Sequence, residues 1–425
     1  MVAHALRGES LVPLQSIEVN NIHSFGGCVV LDDAARRHGL GDWLAPLTPR
    51  TASLVRAMVF GGLLTPPSVA PFCVEARTAR VATFCALDPE KEHFDPADLA
   101  AALQELDDRW PQVRTVLLHP PHTEVRAIVL LRSQPGKHAD LSAVGLDADG
   151  IPVPISHEDG LKPEAPGFLA QVAQPSKAGH PILAMDEEIT GRMNLEHLGS
   201  QPYLIDLAAE TLAALLRQLN QAQLHDALCT GGPIEVRHHG RRHLLIPAAE
   251  SREAEETLLR VGSLKELSAI AGAKTADGIA PTKIPPAVSA FHGVATNLPI
   301  ERLPPAAARQ WAVRVQAARA AFAPVQIVMG RPVPGEGALA WRNHRNLQFL
   351  THRLRCHLHG EWSARGETRL VEEVLRDFQE VHRATLTVNG VVVRRLATHP
   401  SKAITAALDR LNLWGLFESP ESGRK

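Results

Sequence analysis

Apolar residues recur three and four apart over 27–39 (GCVVLDDAARRHG), 51–63 (TASLVRAMVFGGL), 69–86 and 97–110, which predicts a helical first 110 residues. Gly39 and Gly41 close the first helix. Thr65-Pro66-Pro67-Ser68 breaks the chain after the second, and Ser68 can cap the third. Asp95-Pro96 opens the fourth, with proline in its first turn. The pattern then shortens. Val113–Leu118, Val125–Leu131, Leu141–Leu146 and Ile151–Ile155 are β-type runs, the last two joined by the turn Asp147-Ala148-Asp149-Gly150. They read as consecutive antiparallel strands. Residues 158–180, rich in Pro, Gly and Lys, form an irregular connection. Pro181–Met185 is a buried strand ending at Asp186, 192–198 a short helix, and Tyr203–Leu207 a further strand.

Most of 204–227 has helical spacing. Gly231–Ala248 reads as a hairpin turned at Gly240, 250–273 as a helix, and 274–290 as a loop. Pro304-Pro305 starts a helix through 306–322, and Arg331–Gly337 breaks the chain again. Helices follow at 342–359 and 367–379. Ala384–Leu396 is a hairpin centred on Asn389-Gly390, and Ser401 caps a final helix. There is no internal repeat, and the one long biased stretch is the Ala-rich 306–323.

Composition narrows the function. A chain of 425 residues supports two or three domains. Aromatics are only 4%, which argues against base-stacking platforms. No apolar run approaches the ~18 residues of a membrane span. Met1–Ser10 lacks the features of a secretory leader. The five cysteines are scattered with no C-x-x-C, which fits a reducing cytoplasm. Net charge is −2, unevenly spread. Residues 301–425 hold 19 basic and 11 acidic side chains, against 25 and 35 in the rest. A basic end on an acidic body permits a polyanion contact, although acids such as Glu372, Glu373 and Asp377 are interleaved with the basic residues.

Asp186 is the leading chemical candidate. A carboxylate ending a buried strand beside Glu187 and Glu188 can ligate a divalent ion or cap the helix that follows. His238, His239 and His243 share a hairpin with Arg237, Arg241 and Arg242, which reads as a polar, partly cationic hairpin more readily than as a metal site. His357 and His359 are two apart on a helix and do not face one way. There is no P-loop, dinucleotide fingerprint or nucleophile elbow.

The order of elements resembles bacterial insertion-sequence transposases of the DDE type. Their catalytic domain is RNase H-like, with a β-rich insertion before the third carboxylate. The segments that carry the resemblance are RAMVFGGLLTPPSVA (56–70), FDPADLAAALQELDDRW (94–110), AVGLDADGIPV (143–153), ILAMDEEITGRMNLEHLGSQPYLIDL (182–207), GRRHLLIPAAESREAEE (240–256) and FHGVATNLPIERLPPAAARQWAVRVQAARAAF (291–322). RPV at 331–333 and the terminal hairpin-helix (384–416) fit as well.

The resemblance implies a helical N-terminal domain (1–112), an α/β RNase H-like mixed-sheet core (113–366, insertion about 228–290) and a C-terminal hairpin-helix tail (367–425). It also implies double-stranded DNA, the element ends, as partner, and a homodimer. Arg309, Arg314, Arg342 and Arg345 would face the DNA. The family holds two Mg²⁺ on three carboxylates to activate water and stabilise the leaving oxygen. Only the second is kept, as Asp186; His119 occupies the first position and Arg319 the third. Arginine cannot be deprotonated to serve as a ligand. The resemblance therefore implies a degenerate member with no resident metal and with cleavage and strand transfer lost. Two alternatives stand beside it. One is an active transposase with Mg²⁺ held by substitutes such as Glu124 and Glu336. The other is an interaction protein without DNA affinity.

Overall fold

The computed structural model describes residues 17–64, 85, 87, 96–118, 124–132, 141–155, 179–192, 198–247, 290–322, 337–388, 391–397 and 400–418. The expected helices at 69–86 and 250–273, the loop 274–290, the break at 331–337, the turn Asn389-Gly390 and most of the connection 158–180 lie outside these residues, as do most of the helix 192–198, His119 and Glu336. The chain divides into two compact units, 1–117 with 324–425, and 118–323. These differ from the boundaries expected at 112 and 366.

The first unit opens with strand β1 (Ile17–Ser24), then helices α1 (Gly26–Arg37), α2 (Leu40–Trp43), α3 (Pro49–Leu64), α4 (Pro96–Asp108) and α5 (Trp110–Leu117). Helix α5 corrects the strand expected at 113–118. Trp110, Val113 and Leu117 are all buried, and their spacing of three and four is one helical face. The β-branched Val113, Thr115 and Val116 imitate a strand locally, but burial of that stripe decides the outcome.

The second unit is built on an eight-stranded mixed sheet. Its strands are β2 (Ala127–Arg132), β3 (Leu141–Leu146), β4 (Pro152–Val153), β5 (Ile182–Asp186), β6 (Tyr203–Asp206), β7 (Ile234–His238), β8 (Arg241–Pro247) and β9 (Phe291–Thr296). Between them run α6 (Glu187–Arg192), α7 (Ala209–Leu216) and α8 (Gln221–Thr230); α9 (Pro305–Ala321) follows β9. The spatial order is β4-β3-β2-β5-β6-β9-β8-β7. β5 is parallel to β2 and to β6, and the remaining pairs are antiparallel.

Local chemistry explains several of these elements. Asp147 Oδ1 accepts from the backbone N–H of Asp149 and Ile151, both at 2.9 Å, and Gly150 takes φ +82°, which closes the turn after β3. His239 and Gly240 both have positive φ, the primed geometry of a two-residue hairpin. The helix expected over 204–227 is instead β6, α7 and α8, because Asn220 and Gln223 form a capping box that restarts the chain. At Gly145 an added Cβ would lie 2.7 Å from the carbonyl oxygen of Val153 and 2.8 Å from Ile155 Cγ2. Gly145→Ala is expected to cost about 1–3 kcal/mol by prying β4 from β3, measurable by urea unfolding.

Each face of the sheet is covered. Leu204, Leu244, Ile246 and Val294 pack with Ala308 and Ala312 of α9. Leu245 and Phe291 pack with Leu212, Leu215 and Leu216 of α7. Alternation along each strand therefore assigns every strand-end side chain to the α9 face or the α7 face.

The chain then returns to the first unit. It forms α10 (Gly337–Ala364), α11 (Val371–Phe378), β10 (His382–Val388), β11 (Val391–Ala397), α12 (Lys402–Leu411) and α13 (Trp414–Glu418). β10 pairs with both β1 and β11 in a three-stranded antiparallel sheet, so the C-terminal hairpin joins the N-terminal strand. Ser401 Oγ accepts from Ile404 N, the expected cap of α12. Among the described residues no helix is long and apolar enough to cross a membrane.

Candidate functional site

The parallel strands β5 and β6 both end in aspartate, and their register pairs Asp186 with Asp206 directly. Both carboxylates fall on the face covered by α9. Asp186 Oδ1 accepts from Ile189 N at 2.8 Å, so it caps α6. That is the structural role weighed for it from the sequence. Asp206 has 15% of its side chain exposed.

Arg319, in the last turn of α9, forms an ion pair with Asp206 Oδ2. The helix thus carries this guanidinium to the second aspartate, the register partner of Asp186. His292 on β9 completes the cluster. Its Nε2 lies 3.3 Å from Asp206 Oδ1, and its Nδ1 lies 2.6 Å from Gln316 Nε2. Gln316 and Arg319 are three apart on α9 and share one face. Burial pushes the His292 imidazole down to about 4, so it is neutral at neutral pH. The cluster then holds two carboxylates and one fixed cation. Counterion and acceptor are already in place, which suits electrostatic locking better than ligation of an added divalent ion.

No carboxylate enters from β2. Val129 pairs with Ala184, so two steps further Leu131 stands level with Asp186, and the strand AIVLLR contains no acid. Of the proposed substitutes, Glu124 is tied to Arg126 at 3.0 Å. Among the described residues no group of three or more His, Cys, Asp and Glu is placed to hold a metal.

The other expected site residues disperse. Arg309 Nη1 donates to Gly231 O at 2.6 Å. Arg314 lies 5.2 Å over the Trp311 ring and its stem packs on Gly150. Arg345 is 4% exposed, which removes it as a contact for phosphate; Arg342 lies on the same helix, α10. His357 stacks on His38 while His359 approaches Ser363 Oγ, so the two histidines diverge as helical geometry requires. His238 and His239 meet at 4.0 Å between ring centroids, and His238 and His243 at 6.0 Å.

Sequence reasoning missed Asp206, His292 and Gln316. A signal for Asp206 was present: ILAMD and YLID are both short buried runs closed by Asp. No protein-family model matches this chain, and no curated protein matches it either.

Proposed function

We propose that this chain is a transposase-like DNA-binding protein that has lost DNA cleavage and strand transfer. The observation that carries the reading is the Arg319–Asp206 pair beside Asp186. The residue that the resemblance assigns to the third carboxylate is a guanidinium paired with Asp206, and Asp186 spends an oxygen on a helix cap, which supports this reading. Consecutive antiparallel strands β2–β4, followed by parallel β5 and β6 with an acid at the strand end, support an RNase H-like core. Two divalent ions bring four positive charges, which three carboxylates and the phosphate normally offset. Here a resident cation has already neutralised one of the two carboxylates.

The experiment is a binding and cleavage assay on duplex DNA from the chain's own flanking sequence. Binding should weaken as salt rises, with a log–log slope near −0.9 per phosphate neutralised. No product should form with Mg²⁺ or Mn²⁺. Cleavage that Asp186→Ala abolishes would overturn the inactive reading and favour substitute carboxylates.

One observation favours a second reading, an interaction protein without DNA affinity. Arg309, Arg314 and Arg345, the arginines assigned to DNA, are engaged or buried within the fold. Absence of binding at low salt would select it.

A further inference from the structure

A cavity of about 760 Å³ opens on the α7 face of the sheet, opposite the Asp206–Arg319 cluster. Its floor is apolar, made by Ile205 and Leu207 of the β6 segment and Ala295 of β9. One rim comes from α6 and α7 and carries Glu187, Glu210, Thr190 and Thr211. The other is the β7–β8 hairpin, with His238, His239, Arg241 and His243. The volume falls in the range of small-molecule sites, and its walls are polar and charged over a small apolar floor.

The rims are held before any ligand arrives. Thr211 Oγ1 donates to Glu187 Oε2 at 3.1 Å, which ties α7 to α6. Gln218 Nε2 lies 3.2 Å from His238 Nδ1, which fixes the hairpin tip against the end of α7. His243 Nδ1 lies 3.2 Å from Arg241 O. Burial lowers the His243 pKa, so at neutral pH Arg241 is the cation of that rim on which an anion can depend.

The charges on the two rims do not cancel each other. Glu210 and Arg241 are both exposed, and among the described residues neither forms an ion pair. A carboxylate side, an apolar floor and a guanidinium side define a ligand with a cationic donor at one end, an apolar middle and an anion at the other.

We propose that this cavity binds a small zwitterion with an apolar body, of the class of short apolar peptides with free termini. The amino group sits towards Glu210 and Glu187, and the carboxylate towards Arg241. The site is independent of the DNA-binding reading, because it lies on the opposite face of the sheet.

The test is calorimetric titration of the full chain at pH 7.5 with the dipeptide leucyl-leucine, its N-acetyl form and its C-terminal amide. The free dipeptide should bind saturably, and each blocked form at least tenfold more weakly. Arg241→Gln should erase the difference between dipeptide and amide while keeping that between dipeptide and N-acetyl form. Glu210→Gln should do the reverse. Both side chains are exposed, so neither change threatens the fold, and the crossed pattern is one that general loss of structure does not produce. Absence of saturable binding, equal binding of all three probes, or a uniform loss in both variants would overturn the proposal.

Discussion

Lowering the pH from 7 to 4.5 should remove several kcal/mol of stability through buried histidines, His352 and His357 in the first unit and His292 in the second. His352, on α10, is 2% exposed, and burial pushes its imidazole down to about 3. His357 is half-buried and stacks on His38 with ring centroids 4.4 Å apart; burial, His38 and Arg353 bring it to about 4. His38 is itself lowered by burial. In the unfolded chain a histidine titrates near 6.5. Between that value and the folded value, the unfolded state binds more protons than the folded one. Stability is therefore complete above about pH 6.5 and falls as the pH drops towards the folded values. Each pH unit costs about 1.4 kcal/mol per fully buried histidine, so His352 alone accounts for about 3 kcal/mol at pH 4.5. His357 contributes less because solvent screens it.

Paired carboxylates do not confuse this window. Burial works against the Glu361 charge, but its bonds to Arg37 prevail and hold the carboxyl below its usual range. Glu367 is held near 2, chiefly by its bonds to Arg369. Their stabilisation is lost only at lower pH. Guanidinium unfolding at pH 7, 6, 5 and 4.5 should show the decline, and His352→Leu should make it shallower, the remaining buried histidines keeping the rest. Equal slopes in the two proteins would show that His352 does not carry the effect.

What the chain made legible was local. The hairpin at Gly240, the Asp147 turn, the proline start of α9 and the Ser401 cap each rest on residues within a few positions of one another. What was hidden depends on distant partners. Val113–Leu118 has strand-like residues, and only the burial of Trp110, Val113 and Leu117 on one face makes it a helix. The C-terminal hairpin looked like a separate tail because its pairing with β1 spans most of the chain. The site followed the same division. Asp186 announced itself at the end of a strand, whereas the target of Arg319 required the register of β5 against β6, which no spacing along the chain encodes.

The Asp206–Arg319 pair is expected to be the most sensitive point of the second unit. The two side chains are 15% and 21% exposed, so removing either leaves a charge largely withdrawn from water. Arg319→Met and Asp206→Asn should each cost about 3 kcal/mol. The double variant should cost clearly less than their sum, because it leaves neither charge stranded, and the coupling in a double-mutant cycle should reach about 2 kcal/mol. Additive losses would mean that the pair is not a unit. Arg319→Glu makes a sharper test. It places a third carboxylate beside Asp186 and Asp206, with neutral His292 against the cluster. Like charges at that distance repel, so the melting temperature should fall further than with Arg319→Met. Millimolar Mg²⁺ or Mn²⁺ should restore part of the loss, because oxygen ligands on one face suit a hard cation and binding to the folded state stabilises it. The parent protein, with its guanidinium in place, should not respond to either metal. A parent that Mg²⁺ stabilises as strongly as the variant would show that Arg319 does not stand in for a cation, and the inactive reading would lose its physical basis.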